Sequence, residues 1–362
     1  MNPTLQPRLF PRCKSIGRTG RFFSGVISFL LLQLTLIIPS MADAEPLKRY
    51  EARQRQLGTD VQIILYAGSD EEAEAAFRAG FSRIERLERV LSDYDQQSEA
   101  SRLGQLSPMA EPEPVSPDLW QALQVSVFVS RKSDGAFDVT VGPLSRLWRR
   151  AHRQRELPST ERLAAARQAV GYRLLRFDMG RRAVQLTRPG MRLDFGGIGK
   201  GMAADLALEE ISGMGLRSAL VDCGGDMALG DAPPGRGGWK VGVAGLDPER
   251  AERVVELANV GVATSGDAHQ YVQIKGVRYS HIVDPRTGIG LVNRSSVTVI
   301  AVNGTLADAV ASAVSVLGPR RGTRLVRHWR GVETQVLSVK KDVLVRSSTP
   351  GFPDKVTGDT GK

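Results

Sequence analysis

Cysteine is nearly absent from this chain. Two in 362 residues, Cys13 and Cys223, cannot build a disulfide framework, so stability must come from a packed core. Histidine is almost as scarce. His152, His269, His281 and His328 are the only four, which argues against a three-histidine zinc centre. Aromatic residues make up only 6%. No sequence repeat occurs, and the basic residues are scattered rather than blocked (Arg149, Arg150, Arg153, Arg155), so a nucleic-acid partner is not indicated. What is present, 41% hydrophobic and 24% charged residues, is the composition of a soluble globular protein. It excludes intrinsic disorder and a collagen-like repeat. The length suits one large domain or two intimate ones.

Part of the formal +10 charge sits at the N-terminus. Arg8, Arg12, Lys14, Arg18 and Arg21 come with no acid, the apolar run Gly25–Ile38 follows, and then Ala42-Asp43-Ala44. Basic, apolar and A-x-A in that order is the layout of a secretory signal peptide. The apolar run falls short of the ~20 residues a spanning helix needs. Residues 1–44 are therefore expected to be an export signal and the protein periplasmic, with inner-membrane association if the segment stays as an anchor. Losing five bases and one acid leaves +6 on the remaining residues. Cys13 leaves with the signal. Cys223 reads as a small residue ending a buried strand, with a reactive thiol the sharper alternative.

Along the rest of the chain, alternating Val61–Leu65 reads as a strand. Ser69 or Asp70 caps a helix through about Ser92, with Phe77, Phe81, Ile84, Leu87 and Leu91 stepping by three or four. Ser116-Pro117 opens a second helix ending before Gly135, and Ser159 or Thr160 a third ending near Gly171. Two short strands joined by Met179-Gly180 are expected before Leu193, then a helix over Gly199–Gly213 and a strand over Ser218–Asp222. Strands follow at Lys240–Ala244, Ala251–Ala258, His269–Ile274, Arg278–Val283 and Ser296–Ala301. A helix over Thr305–Leu317, a second over Pro319–Trp329 and two strands, Glu333–Val339 and Asp342–Val345, close the fold before a loose tail, 349–362. Helices and strands mix without strict βαβ alternation, which indicates α+β.

Five islands are too rich in Gly, Asp, Ser and Thr to be plain connectors: Ser92–Glu99, Gly135–Leu144, Asp194–Gly201, Asp222–Asp226, and Thr264–Asp267 leading to Ser280–Gly288. The glycine loop Asp194–Gly201, read as lying between a strand and a helix, can hold phosphate on free amides or be only a tight turn. It is not a P-loop, because positions 194 and 201 carry Asp and Gly. Asp308 and Ser312 lie one turn apart on an otherwise Ala/Val/Leu helix. A carboxylate there is costly unless bound to a cation or used as a cap, and two hard oxygens suit Mg2+. His281, beside the Asp284-Pro285 turn and surrounded by polar groups, stands out among the four, with a structural histidine the default reading.

The ordered set of islands resembles the ApbE family of FAD:protein FMN transferases. The matching segments are Leu57-Gly-Thr59, Leu91–Tyr94 with Ser98-Glu99, Gly135–Asp138, Leu193–Gly201 with Asp205, Gly224–Asp226, Trp239, Thr264–Asp267, Tyr279–Gly288 and Ala307-Asp308. The resemblance implies a single ApbE-like, T-fold-related α+β domain over 45–348, with mixed sheets and flanking helices. It implies FAD as substrate and Mg2+ as cofactor. The reaction would pass FMN from FAD to a Thr or Ser hydroxyl of an acceptor flavoprotein, such as a membrane redox-complex subunit or periplasmic reductase, and release AMP. By position Leu57, Tyr94, Ala136, Phe137, Asp138, Asp194, Lys200 and Ile282 fall where the family contacts FAD. Gly197 and Ala311, by their carbonyls, fall with Asp308 and Ser312 where it holds metal. His281 is the candidate base, since imidazole titrates nearest neutral pH. Leu57 stands where Met is usual, Ser312 for Thr, Ala268 for an aromatic and Gly290 for Pro. None of these exchanges removes a group the chemistry needs. An FAD pyrophosphatase and a non-catalytic periplasmic flavin-binding protein are the alternatives.

Overall fold

The turn Leu57-Gly58 carries both residues at positive φ, +53° and +70°, and folds β1 (Lys48–Gln56) back on β2 (Thr59–Ala67). The computed structural model describes residues 46–247, 251–266, 271–340 and 343–353, all within one contact-defined unit. The expected signal, 1–44, lies outside the described residues. Helices α1 (Asp70–Leu91) and α2 (Glu99–Gln105), the short strand β3 (Glu113–Pro114), and helices α3 (Pro117–Lys132), α4 (Gly142–Gln154) and α5 (Thr160–Gln168) follow. Then come β4 (Leu175–Asp178), β5 (Ala183–Leu186), α6 (Gly199–Gly213), β6 (Ala219–Cys223) and β7 (Met227–Leu229). The second half holds β8 (Trp239–Ala244), β9 (Ala251–Leu257), β10 (Val260–Gly266), β11 (Tyr271–Ile274), β12 (Val277–Ser280), β13 (Val283–Asp284), β14 (Ile289–Gly290) and β15 (Ser295–Ala301). Last are α7 (Gly304–Val326), β16 (Glu333–Lys340) and β17 (Val343–Ser348).

Eight strands form the main sheet in the order β1-β2-β6-β7-β10-β15-β16-β17. Every strand pairing among the described residues is antiparallel, and the one parallel contact is the isolated bridge Val141–Arg192. The expectation of mixed sheets thus narrows to antiparallel ones. Strand alternation sends neighbours to opposite faces. Val221, Ala263 and Val299 face α1, α6 and α7 in the main core. Leu220, Val262 and Ile300 join a second core with Trp239, Val241 and Val255 of the β8–β9 hairpin. A third cluster joins Leu144, Trp148 and Ala151 of α4 to Val272, Ile274 and Val283.

Several expected elements hold. Ser69 caps α1 by accepting from Glu72 N, and Ser116 caps α3 by accepting from Leu119 N, with Pro117 in the first turn. Gly318 is non-helical at φ +72°, so α7 is two helical pieces meeting where two were expected. Cys223 ends β6 fully buried, and burial pushes its thiol up to about 12, so it packs rather than reacts.

Others differ. No strand enters the glycine loop, since only the bridge at Arg192 stands between β5 and α6. Strands β1, β7 and β10 and helices α2 and α4 were not anticipated. The start of the tail is packed, with Thr349 and Phe352 buried and Phe352 in the second core; residues 354–362 lie outside the described residues.

Candidate active site

The first turns of α6 and α7 are built into each other. Asp205 of α6 accepts from Gly304 N and Thr305 N at 2.7 Å each and from the Thr305 hydroxyl at 2.5 Å, so it caps α7. Asp308 of α7 returns the favour: the amides of Lys200 and Gly201 donate to its carboxylate, Gly201's at 3.1 Å, so it caps α6. The crossing is close because position 201 has no side chain; a Cβ there would strike the Gly304 carbonyl and lie 2.8 Å from Asp308 Cβ. Asp308 is 4% exposed. Burial raises its pKa and Asp205 adds to that, while the Lys200 charge and the two amides oppose it.

Ser312, one turn on, faces the glycine loop. A Cβ at position 197 would come within 2.6 Å of Ser312 Oγ and 3.3 Å of the Phe137 ring, so Gly197, Ser312 and Phe137 converge. The Ser312 hydroxyl makes no hydrogen bond among the described residues, and Ala311 beside it is fully buried. No group of three or more His, Cys, Asp or Glu gathers among the described residues. One carboxylate, one hydroxyl and carbonyl oxygens form a sparse hard-oxygen set. That set fits Mg2+, which keeps waters and substrate phosphates as its remaining ligands.

Lys200 is not free to point into the loop. Its ammonium is paired with Asp226, which is 1% exposed and also accepts from Thr264 N at 3.3 Å. The Leu57 turn approaches the same corner, because Thr59 fills the space above Gly224, where any Cβ would collide with it. The loop Ala136–Asp138 is buried. Asp138 Oδ1 accepts from Thr140 N and Oγ1 at 2.9 and 2.7 Å, and Oδ2 from Tyr172 N at 2.7 Å. Its carboxylate is therefore saturated by the fold, and burial raises its pKa against those bonds. Any flavin contact by this loop falls to its backbone and to Phe137. Asp194 N donates to Val139 O at 2.8 Å and Asp194 Oδ1 accepts from Gly196 N at 2.8 Å, joining the two loops.

Tyr94 is 78% exposed at the end of α1, and the Arg149 guanidinium lies 4.1 Å from its ring centre. His281 and Ile282 follow β12 on the third cluster. His281 is exposed, and Ile282 N donates to Ser280 Oγ at 3.1 Å. Helix α4 ties this cluster to Tyr94: Trp148 Nε1 donates to Gly288 O at 2.8 Å, while Arg149 reaches Asp93 and Asp194. A cavity of about 720 Å³ is lined by Gly135, Asp138, Tyr172 and Arg286, and not by Lys200, Asp308 or Ser312. That cavity is thus separate from the α6–α7 corner, where Asp308 and Ser312 lie. Arg149 was read only as one of several scattered bases because it sits in an arginine-rich stretch, whereas Asp93 falls inside the Ser92–Glu99 island without being singled out. The signal for α4 was present in Gly142-Pro143 and in Leu144, Trp148 and Ala151 at helical spacing.

The ApbE family model matches residues 57–336. The FAD:protein FMN transferase of Treponema pallidum is 32% identical over 330 residues, covering 85% of this chain and 89% of its own. That of Escherichia coli is 31% identical over 282 residues, covering 75% and 79%. Among solved structures, the apo flavinyl transferase ApbE of Pseudomonas stutzeri aligns with a TM-score of 0.75 at 28% identity, covering 85% of this chain and 96% of that one. The ApbE protein of Thermotoga maritima aligns with a TM-score of 0.74 at 29% identity, covering 83% and 97%. With the family model spanning most of its length and a relative 32% identical matched over 89% of its own, the chain belongs to the ApbE family.

Proposed function

We propose that this protein transfers FMN from FAD to a Thr or Ser hydroxyl of an acceptor flavoprotein and releases AMP. It is an enzyme of the FAD:protein FMN transferase kind, as its relatives are named. One observation carries the site assignment: Asp308 accepts from the first turn of α6, and Ser312 one turn on stands against Gly197 of the glycine loop.

In the reaction the acceptor hydroxyl oxygen bonds to the FMN phosphorus, the bond from that phosphorus to the AMP oxygen breaks, and AMP leaves with the electron pair. Asp308, Ser312 and the carbonyls of Gly197 and Ala311 would hold Mg2+, which when bound neutralises charge on the pyrophosphate. Lys200 serves first to anchor α6 on Asp226, and its charge favours the ionised form of Asp308. The hydroxyl proton passes to an imidazole nitrogen of His281, which stands exposed where an acceptor can reach it. Leu57, Tyr94, the 136–138 loop, Asp194 and Ile282 border the flavin.

Export is part of the same reading. The basic, apolar and A-x-A order of the N-terminal segment supports cleavage after Ala44 and a periplasmic enzyme. Intact mass of protein recovered from the periplasm should begin at Glu45; a full-length, membrane-pelleting product would make the segment an anchor. For the activity, the protein is incubated with FAD, Mg2+ and an acceptor flavoprotein. A fluorescent acceptor band on a denaturing gel, with free AMP, supports transfer. An unlabelled acceptor with FAD intact refutes it.

A further inference from the structure

Arg149 occupies a place that no chemistry above requires. From the middle of α4 its Nη1 reaches Asp93 Oδ2 at 2.5 Å and its Nη2 reaches Asp194 Oδ2 at 3.4 Å. Its guanidinium carbon lies 4.1 Å from the centre of the Tyr94 ring. Its side chain is 27% exposed, and no other cation pairs with either aspartate among the described residues. Asp93 and Asp194 come from segments a hundred residues apart, one closing α1 and one opening the glycine loop. Without a cation between them they would repel, and burial together with Asp194 already raises the pKa of Asp93. Arg149 covers one face of Tyr94. The rest of the ring is open, since the residue is 78% exposed, and its free face can take a second planar group.

We propose that Arg149 is a positioning residue for the flavin: by bridging Asp93 and Asp194 and covering one face of Tyr94, it holds the other face ready to stack the isoalloxazine ring. The proposal rests on the reading that Tyr94 and Asp194 border FAD. It acts through those two residues and requires no contact between Arg149 and substrate. Asp194 passes the constraint on, because its other oxygen accepts from Gly196 N at 2.8 Å and so orients the loop that leads to Gly197. A planar, bidentate fork is needed to touch both acids and the ring at once, so lysine is not an equivalent.

The test is a titration of the protein with FAD, read by quenching of flavin fluorescence, for wild type, Arg149→Gln, Arg149→Lys, Tyr94→Ala and the double variant Arg149→Gln/Tyr94→Ala. Thermal unfolding of each confirms that it is folded. Arg149→Gln should weaken FAD binding about tenfold and lessen the quenching, with Arg149→Lys between it and wild type. In turnover the loss should fall on KM for FAD more than on kcat. The double variant should lose less than the product of the two single effects, because both substitutions act on one stacking platform. Folded Arg149→Gln that binds and quenches like wild type, or effects that simply multiply, would overturn the proposal and leave the transferase reading intact. A wild-type protein that does not bind FAD overturns both.

Discussion

Asp308 carries two tasks, and two substitutions separate them. As a cap it satisfies amides of α6; as the sole carboxylate in a hard-oxygen set it would hold Mg2+. Asp308→Ala loses both, so beyond losing transfer it should destabilise the fold by about 1 kcal/mol for the missing cap. Asp308→Asn keeps an oxygen that can accept from Gly201 N but removes the charge. It should unfold near the wild-type temperature yet lose transfer, and added Mg2+ should raise the unfolding temperature of wild type only. Wild-type turnover by the Asn variant would remove the metal assignment. His281 is exposed, so His281→Ala should leave stability within about 0.5 kcal/mol. Its kcat should fall by about 10²–10⁴-fold with FAD affinity kept. If FAD binding is lost and kcat survives at saturating flavin, His281 belongs to the substrate site instead.

At the scale of elements, the reciprocal caps make the α6–α7 pair one structural unit. Asp205→Ala strips three hydrogen bonds from the start of α7 and should cost about 2 kcal/mol, read as a lowered denaturant midpoint with unchanged slope. An unchanged midpoint would mean that α7 does not depend on that cap. Asp138 gives a pH-dependent counterpart. Burial holds its carboxyl above the ordinary range, so the folded chain binds the proton at a pH where the unfolded chain has lost it. Its stabilising contribution is therefore full below about pH 4 and is lost as pH rises through the folded value. Asp138→Asn removes that titration. The stability of wild type relative to the variant should shrink as pH rises above about 4, measured by thermal unfolding at each pH; a flat difference would contradict the shift.

The elements also show where the sequence could be read. Helices α1 and α3 announced themselves through Ser caps and Pro117, which act locally. The pair Asp308/Ser312 was visible as two oxygens one turn apart on an apolar helix. Its partner amides at positions 200 and 201 were not, because sequence spacing carries no trace of a contact across more than a hundred residues. Strand β1 is mostly exposed and charged, and β7 is three residues long, so neither shows a hydrophobic period. Helix α4 was hidden among arginines, although one of them, Arg149, ties Tyr94 to the glycine loop.

At the scale of the whole molecule, the main antiparallel sheet carries α6 and α7 on one face and the β8–β9 hairpin on the other, while α4 links the Tyr94 segment and the glycine loop to the Gly288 turn. On the proposed reading, flavin and an acceptor protein would meet at the surface while the phosphate chemistry stays against the buried ends of α6 and α7. The most direct measurement of that account is stoichiometric. The enzyme is mixed with FAD and an acceptor flavoprotein, with Mg2+ or with a chelator, and the flavin attached per acceptor is determined by intact mass beside the AMP released. Transfer predicts one AMP for each flavin attached, target Thr or Ser required, and neither product with the chelator. AMP and free FMN accumulating at the same rate with no acceptor modified would contradict it and make the protein a pyrophosphatase.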